Sequence, residues 1–205
     1  MTGIRVRSYS YVMRYSLEHK ARNHENILSV AARSFREHGG ESGIGTVMKK
    51  VGLTKGGFYR HFKSKDDLFV EAVARALDET GRGMLEVAKS APEGQGLRAV
   101  IERYLSADHA SSLGTGCVLS ALAPELARKP VGVRRRIEAS LEAYRERLLP
   151  FAAGRTREEK MAKLKLLFPS MVGVLTMARV ISDPQRRDQV LTEARNFFIK
   201  CFAEG

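Results

Sequence analysis

One stretch, residues 43–68 (GIGTVMKKVGLTKGGFYRHFKSKDDL), concentrates the residue types able to grip a polyanion. Lysine, arginine and histidine stand there beside a tyrosine and two adjacent glycines, Gly56 and Gly57. Cationic and hydroxyl groups bond phosphate oxygens, and bare glycine lets a backbone come close to a double helix. The pattern reads as two short helices joined by a tight turn, the arrangement of a helix-turn-helix DNA reader. Enzyme chemistry has little support. His61 and His109 have no nucleophile or carboxylate at a catalytic spacing, and no phosphate-binding loop of P-loop or dinucleotide type occurs. Cys117 and Cys201 are far apart and in no metal-ligand spacing. No catalytic residue, metal or cofactor is therefore expected.

These residues need a scaffold, and the flanking pattern supplies helices. Residues 24–38 place Ile27, Leu28, Ala31, Ala32 and Phe35 on one helical stripe that ends at Gly39-Gly40. Over 44–51, Ile44, Val47, Met48 and Val51 recur at three- and four-residue spacing before Gly52 closes the helix. Thr54 then caps a third helix over 55–62, with Phe58 and Phe62 read as core, and Ser64 caps a fourth whose first turn carries Asp66 and Asp67. Beyond Leu68 the pattern predicts a long helix over 66–89, bent or interrupted near Gly81 and Gly83, and a loop at 91–96. Helices over 97–110, 131–153, 157–181 and 184–203 follow, and Pro124 is expected to kink or restart a shorter helical stretch opening at Cys117. The chain is thus read as all-α, with nine to ten helices.

Charge separates the chain into two parts. Of the net +12, residues 1–65 hold +9 (13 Lys/Arg against 4 Asp/Glu) and residues 66–205 only +3 (22 against 19). A basic head on a nearly neutral body points to a polyanionic partner for the head, with nucleic acid favoured over a membrane surface. The alternative is a basic helical interaction module that binds a membrane surface or a protein partner without reading DNA sequence. No apolar run of about 18 residues is apparent, so no membrane span is expected. Residues 1–12 lack the apolar stretch of a secretory signal, and with two distant cysteines the expected location is a reducing cytoplasm.

An amphipathic first helix ending FREHGG, a short second helix ending at Gly52, and then LTKGGFYRHFKSKDDL follow one another in an order that resembles the DNA-binding domain of the TetR family of transcriptional regulators. GCVLSALAPELAR and MARVISDP resemble one branch of that family, and so does MRYSLEHKA from Met13, which leaves open that residues 1–12 are an upstream extension. The resemblance implies a three-helix helix-turn-helix head over 19–65, an extension or arm over 1–18, and a larger helical ligand-binding and dimerisation domain over 66–205. It assigns Lys55, Gly56, Gly57, Tyr59 and His61 to the recognition surface and Lys65 to the start of the fourth helix. The hydroxyls of Thr54 and Tyr59, the His61 ring and the Lys65 ammonium suit phosphate, while Lys55, at the N-terminal end of the recognition helix, suits a guanine edge. Gly45 stands where many relatives carry a polar residue, leaving the second helix bare. Arg14, Lys20 and Arg22 can form a DNA-reaching arm or a solvated tail, and Lys49 and Lys50 can tune nonspecific affinity.

The same resemblance implies a homodimer built on the last two helices, whose apolar residues exceed what one buried face needs, and a palindromic operator on double-stranded DNA. It also implies a small-molecule effector, of unknown identity, whose binding moves the fourth helix and releases the DNA. Tyr104, His109, Cys117, Tyr144, Phe168, Met171 and Met177 lie on helices that surround the effector cavity in this family, although such residues also serve as plain core. Cys117, after a glycine-rich loop and at a helix start, is either a reactive sensor thiol or a buried inert one, the second reading being favoured.

Overall fold

A computed structural model describes residues 5–40 and 42–204, with side chains described in the N-terminal helix from Glu18 onward. Much of the expected arm, Arg14 included, therefore lies outside the described side chains. The described residues form nine α-helices and no strand: α1 (Arg5–His38), α2 (Ile44–Lys50), α3 (Lys65–Ser90), α4 (Gly96–Tyr104), α5 (Ala107–Ser111), α6 (Val118–Ala127), α7 (Val131–Leu148), α8 (Arg157–Val180) and α9 (Pro184–Phe198). Two 3₁₀ turns, Lys55–Arg60 and Leu149–Phe151, and a closing π turn, Ile199–Ala203, complete the chain.

The head packs α1, α2 and the Lys55–Arg60 turn onto the first half of α3. Ile27, Ala31, Phe35, Val47, Met48, Phe58, Phe62, Phe69 and Val73 are all buried in one cluster, with Phe58 and Phe62 stacked at 5.5 Å and Phe35 edge-on to Phe69 at 5.1 Å. Burying each of these side chains other than Ala31 contributes about 1.5–3 kcal/mol. The cluster does not stop at the head: Val118, Leu122 and Leu126 of α6 and Ile137 of α7 belong to it. A second cluster, through Met84, Val100, Leu105, Leu148, Leu164, Met171 and Phe198, forms the body.

The structure departs from the pattern-based boundaries at several places. The third helix is a 3₁₀ turn ending at Arg60, consistent with two adjacent glycines, each about 1 kcal/mol poorer than alanine in an α-helix. α3 runs unbroken through Gly81 and Gly83. Gly81 serves packing instead, since a Cβ there would lie 3.0 Å from the Tyr144 ring. The helix expected over 97–110 divides at Ser106, whose hydroxyl caps α5 by accepting from the His109 N–H. The helix expected over 131–153 ends at Leu148, with Pro150 in the 3₁₀ turn that follows. α6 continues through Pro124, and the Ser120 carbonyl that this proline cannot bond has the Thr176 hydroxyl 3.4 Å away.

Contrary to the reading that no apolar run is long enough, α8 has the length and composition to cross a membrane. Its Met161, Leu164, Leu167, Met171, Leu175 and Ala178 are buried against the body, while Leu166, Pro169, Gly173, Met177 and Val180 are exposed. A capping box between Thr156 and Glu159 starts α8, and the Asp183 carboxylate accepts from the N–H groups of Gln185 and Arg186 to start α9.

Candidate nucleic-acid interface and ligand cavity

The turn that presents the recognition segment is set by Gly52, whose φ of +71° is the left-handed conformation that glycine alone adopts freely. Thr54 then caps the 3₁₀ turn, its hydroxyl oxygen accepting from the Gly57 N–H at 3.3 Å. Phe58 anchors the segment in the core with no exposed surface. A repeat of three residues per turn leaves its successors outside. Tyr59 is 68% exposed and meets the Phe58 ring edge-on at 5.2 Å. Lys55 and Gly56 are exposed, and a Cβ at Gly57 would already touch Met48 Cε at 3.9 Å. At the start of α3 the Ser64 hydroxyl accepts from the Asp67 N–H at 3.0 Å while Asp67 accepts from the Lys63 N–H at 3.1 Å, fixing half-buried Lys65 between them in sequence.

A groove of about 750 Å³ runs between α1 (His19, Lys20, Asn23) and the turn (Gly52, Thr54, Gly56, Arg60, His61), and among the described residues no carboxylate lines it. Thr54, Gly56, Gly57 and His61 all border this groove. Arg60 does too, and the sequence reading passed over it. In a 3₁₀ turn Gly57 and Arg60 share a face, which the spacing of the helix expected over 55–62 does not bring together. His61 is half-buried, its Nδ1 has no protein partner, and burial, aided by the positive charges of His24, Lys20 and Arg60, pushes its pKa down. A Cβ at Gly45 would meet nothing, so the first turn of α2 is open.

The body encloses a cavity of about 710 Å³ between α3, α4, α6, α7 and α8. Among the residues singled out from sequence, Tyr104, Cys117, Tyr144, Phe168 and Met177 line it; His109 and Met171 do not. Met171 is wholly buried core. His109 stands behind the wall, its Nδ1 donating to the Tyr104 carbonyl at 2.7 Å and its Nε2 accepting from the Cys117 N–H at 2.9 Å. The second bond requires the neutral ring, and burial pushes its pKa down accordingly, against the Tyr104 carbonyl, which favours the charged form. Arg179 braces the same loop by donating to the carbonyls of His109 and Ala110, each at 3.1 Å, and to the Ser120 hydroxyl. Gly116 permits that approach, since a Cβ there would lie 2.5 Å from Arg179 Nη2.

α6 joins cavity and head. Its Val118 to Ala121, Ala123 and Pro124 line the cavity, and its other end reaches the head. There Glu125 accepts from the Gly40 N–H at 2.9 Å, and Lys129 bonds Asp66 at 2.7 Å while lying 4.6 Å over the Phe69 ring. A Cβ at Gly40 would come within 1.7 Å of Glu125 Oε1, so a side chain there would displace the Glu125 carboxylate from its bond.

Residues 27–72, the core of this head, match the family model of bacterial regulatory proteins of the tetR family. The chain is 42% identical over 64 residues to the HTH-type transcriptional regulator AcrR of Shigella flexneri, covering 31% of this chain and 29% of that one. It is 34% identical over 89 residues to the uncharacterized HTH-type transcriptional regulator YfiR of Bacillus subtilis (strain 168), covering 43% and 42%. Those matches span less than half the length of either relative. Solved structures extend the likeness in fold: a TetR transcriptional regulator from Chloroflexus aurantiacus J-10-FL aligns with TM-score 0.72 at 22% identity, over 89% of this chain and 96% of that one. The reduced form of E. coli NemR aligns with TM-score 0.74 at 17% identity, over 90% and 98%. Residues 27–72 thus match the tetR family of bacterial regulatory proteins, and the chain as a whole shares the fold of these solved structures.

Proposed function

We propose that the chain is a transcriptional regulator that binds a palindromic operator as a homodimer and releases it when a small molecule occupies the body cavity. The observation that carries this reading is the position of α6, with one end in the cavity wall and the other bonded to the head through Glu125 and Lys129. In the DNA-bound state Lys55 reads a base edge, and Thr54, Gly56, Gly57, Tyr59, His61 and Lys65 hold the backbone, with Arg60 added to them. A ligand that displaces the cavity end of α6, or the α3 residues Leu77, Gly81 and Met84, shifts the elements on which the head core rests. The ligand can favour the released state only by as much as it binds that state more tightly.

Dimerisation through α8 and α9 accounts for their remaining apolar surface. Leu166, Pro169, Gly173, Met177 and Val180 recur at three- and four-residue spacing along the exposed side of α8, and Phe197 of α9 is 62% exposed. Buried against a two-fold copy, this stripe forms a four-helix interface. Pro169, Gly173 and Met177 also line the cavity, so the seam and the ligand site share a wall.

A mobility-shift search of the DNA around the chain's own gene, with competitor DNA present, tests the reading, and the same assay repeated with a metabolite panel finds the effector. A saturable, palindromic site lost on addition of one metabolite is the expected result. Binding that competitor DNA abolishes at every fragment would instead favour the basic interaction module.

A further inference from the structure

The cavity in the body holds two polar groups that the protein itself leaves unused. Tyr104 and Tyr144 both line it, and among the described residues neither hydroxyl meets an oxygen or nitrogen partner, the Tyr104 hydroxyl having only the weakly bonding Cys117 sulfur beside it, although both oxygens are shielded from bulk solvent. Their rings are fixed: Tyr104 stands edge-on to His109 at 4.7 Å, and Tyr144 edge-on to Phe168 at 4.7 Å with its other face against Gly81. Burial raises the pKa of each phenol, and the Cys117 thiol beside them adds to the effect, so both remain hydrogen-bond donors at any working pH. Buried donors without partners are uncommon and call for an explanation.

The rest of the wall sets the charge of what can enter. Leu77, Met84, Leu119, Leu141, Phe168 and Val172 make most of it apolar, and no carboxylate lines it. A cation would find no counter-charge. The lining guanidinium, Arg145, is already paired with Glu142. Arg179, behind the wall, is spent on two carbonyls and a hydroxyl, so an anion would find no free cation.

We infer that this cavity takes an uncharged, largely apolar ligand whose oxygen acceptor is held by the hydroxyls of Tyr104 and Tyr144. The inference rests on the proposed role of the cavity as effector site and names the chemical class that site selects. Tyr104 belongs to α4 and Tyr144 to α7, so one ligand oxygen ties together two helices that each pack on α3.

Four probes of one shape test it by calorimetric titration of the full chain: 2-acetylnaphthalene, its hydrocarbon isostere 2-isopropenylnaphthalene, 2-naphthoate and 2-naphthylmethylammonium. The ketone is expected to bind about tenfold more tightly than the hydrocarbon, and both charged probes more weakly than either. Tyr104→Phe and Tyr144→Phe should each weaken the ketone by about two- to tenfold, the range of a single neutral hydrogen bond. Neither should move the hydrocarbon, whose unchanged affinity certifies that the variants fold. The double variant should bind ketone and hydrocarbon alike. Failure of the ketone to bind, equal binding of the isosteres to wild type, preference for a charged probe, or an unchanged ketone affinity in both variants would each overturn the inference. Operator DNA in a parallel mobility shift separates this from the regulatory reading. Ketone selectivity without DNA release upholds the ligand class and sinks the effector role, whereas release by a charged metabolite at this cavity does the reverse.

Discussion

The two concave surfaces of this molecule are made of opposite materials. The head's groove is open, lined by Lys20, Arg60, His61 and exposed glycines, and suits a rigid polyanion that arrives already shaped. The body's cavity is walled by leucine, methionine and aromatic side chains with two idle hydroxyls, and suits a small molecule that must shed its water. Yet the two are not structurally independent. Leu68 to Ala76 of α3 and Leu122 and Leu126 of α6 pack in the head's cluster, while Met84 and Ala88 of α3 pack in the body's. Opposite chemistries mounted on shared helices are what a coupling between two ligands requires.

The sharpest break of that picture would come from the head core. Phe58→Ala removes a fully buried ring that stacks on Phe62, at an expected loss of about 3–5 kcal/mol. Because α3 and α6 are common to both clusters, urea denaturation followed by circular dichroism should show one transition moved to lower denaturant. Two separated transitions, with the body's unmoved, would mean that head and body are coupled far less than their packing implies.

Next in size is the contrast between reading and holding. Lys55→Ala should lose about 1–3 kcal/mol at the operator and relax the preference at one base pair in each half-site. Lys49→Ala, on the exposed side of α2, should leave sequence preference alone and lessen the salt dependence of binding by about one counterion. Binding isotherms on operator variants across salt concentrations check both. If Lys49 proved the specific contact, the 3₁₀ turn would be the holding element and the bare first turn of α2 the reading one.

Smaller again is the link itself. Glu125→Ala deletes the bond to the Gly40 N–H and should cost about 1 kcal/mol of stability, with Glu125→Gln restoring most of it because an amide oxygen still accepts. The informative readout is coupling. Ligand affinity of the free protein should be unchanged in Glu125→Ala, while the ligand's effect on operator affinity falls. An undiminished effect would place the transmission in α3 alone.

How much of this was legible before the structure differs between the same two regions. The head could be read closely because its cues are local: Gly52, Thr54, Ser64 and the Phe58/Phe62 pair act within a few residues of themselves. What failed there was helical type, since two glycines and a three-residue repeat changed which side chains faced out and hid Arg60. In the body, caps such as Thr156 and Asp183 were visible in principle, but the use of each residue depends on partners far along the chain. His109 looked like a cavity ligand and is instead held by Tyr104 and Cys117, with Arg179 bracing the loop from about 70 positions away. The apolar side chains of α8 gave no sign of which would face the core, because both sides of that helix are apolar.

His109 also supplies the mildest and most diagnostic test, through pH. Its folded-state pKa lies below the ordinary histidine value of 6.5, first because burial disfavours the charge and then because Arg179, Arg103 and Arg36 oppose it, the Tyr104 carbonyl acting against them. Near that range the folded protein therefore binds fewer protons than the unfolded one, so stability rises with pH. The contribution is whole above 6.5 and is lost as pH falls from there through the lowered folded value, where a protonated Nε2 would confront the Cys117 N–H. Melting temperature should accordingly drop between pH 7.5 and 5.5, a window above the titration of Glu37 and Glu142, whose arginine partners hold them below the usual carboxylate range. His109→Gln should melt lower at pH 7.5 but with a flatter slope, the remainder belonging to His61 in the head. If His61→Gln flattened the slope more, the proton-sensitive point would lie under the DNA-facing groove, and acid would loosen the reader before it loosened the cavity wall.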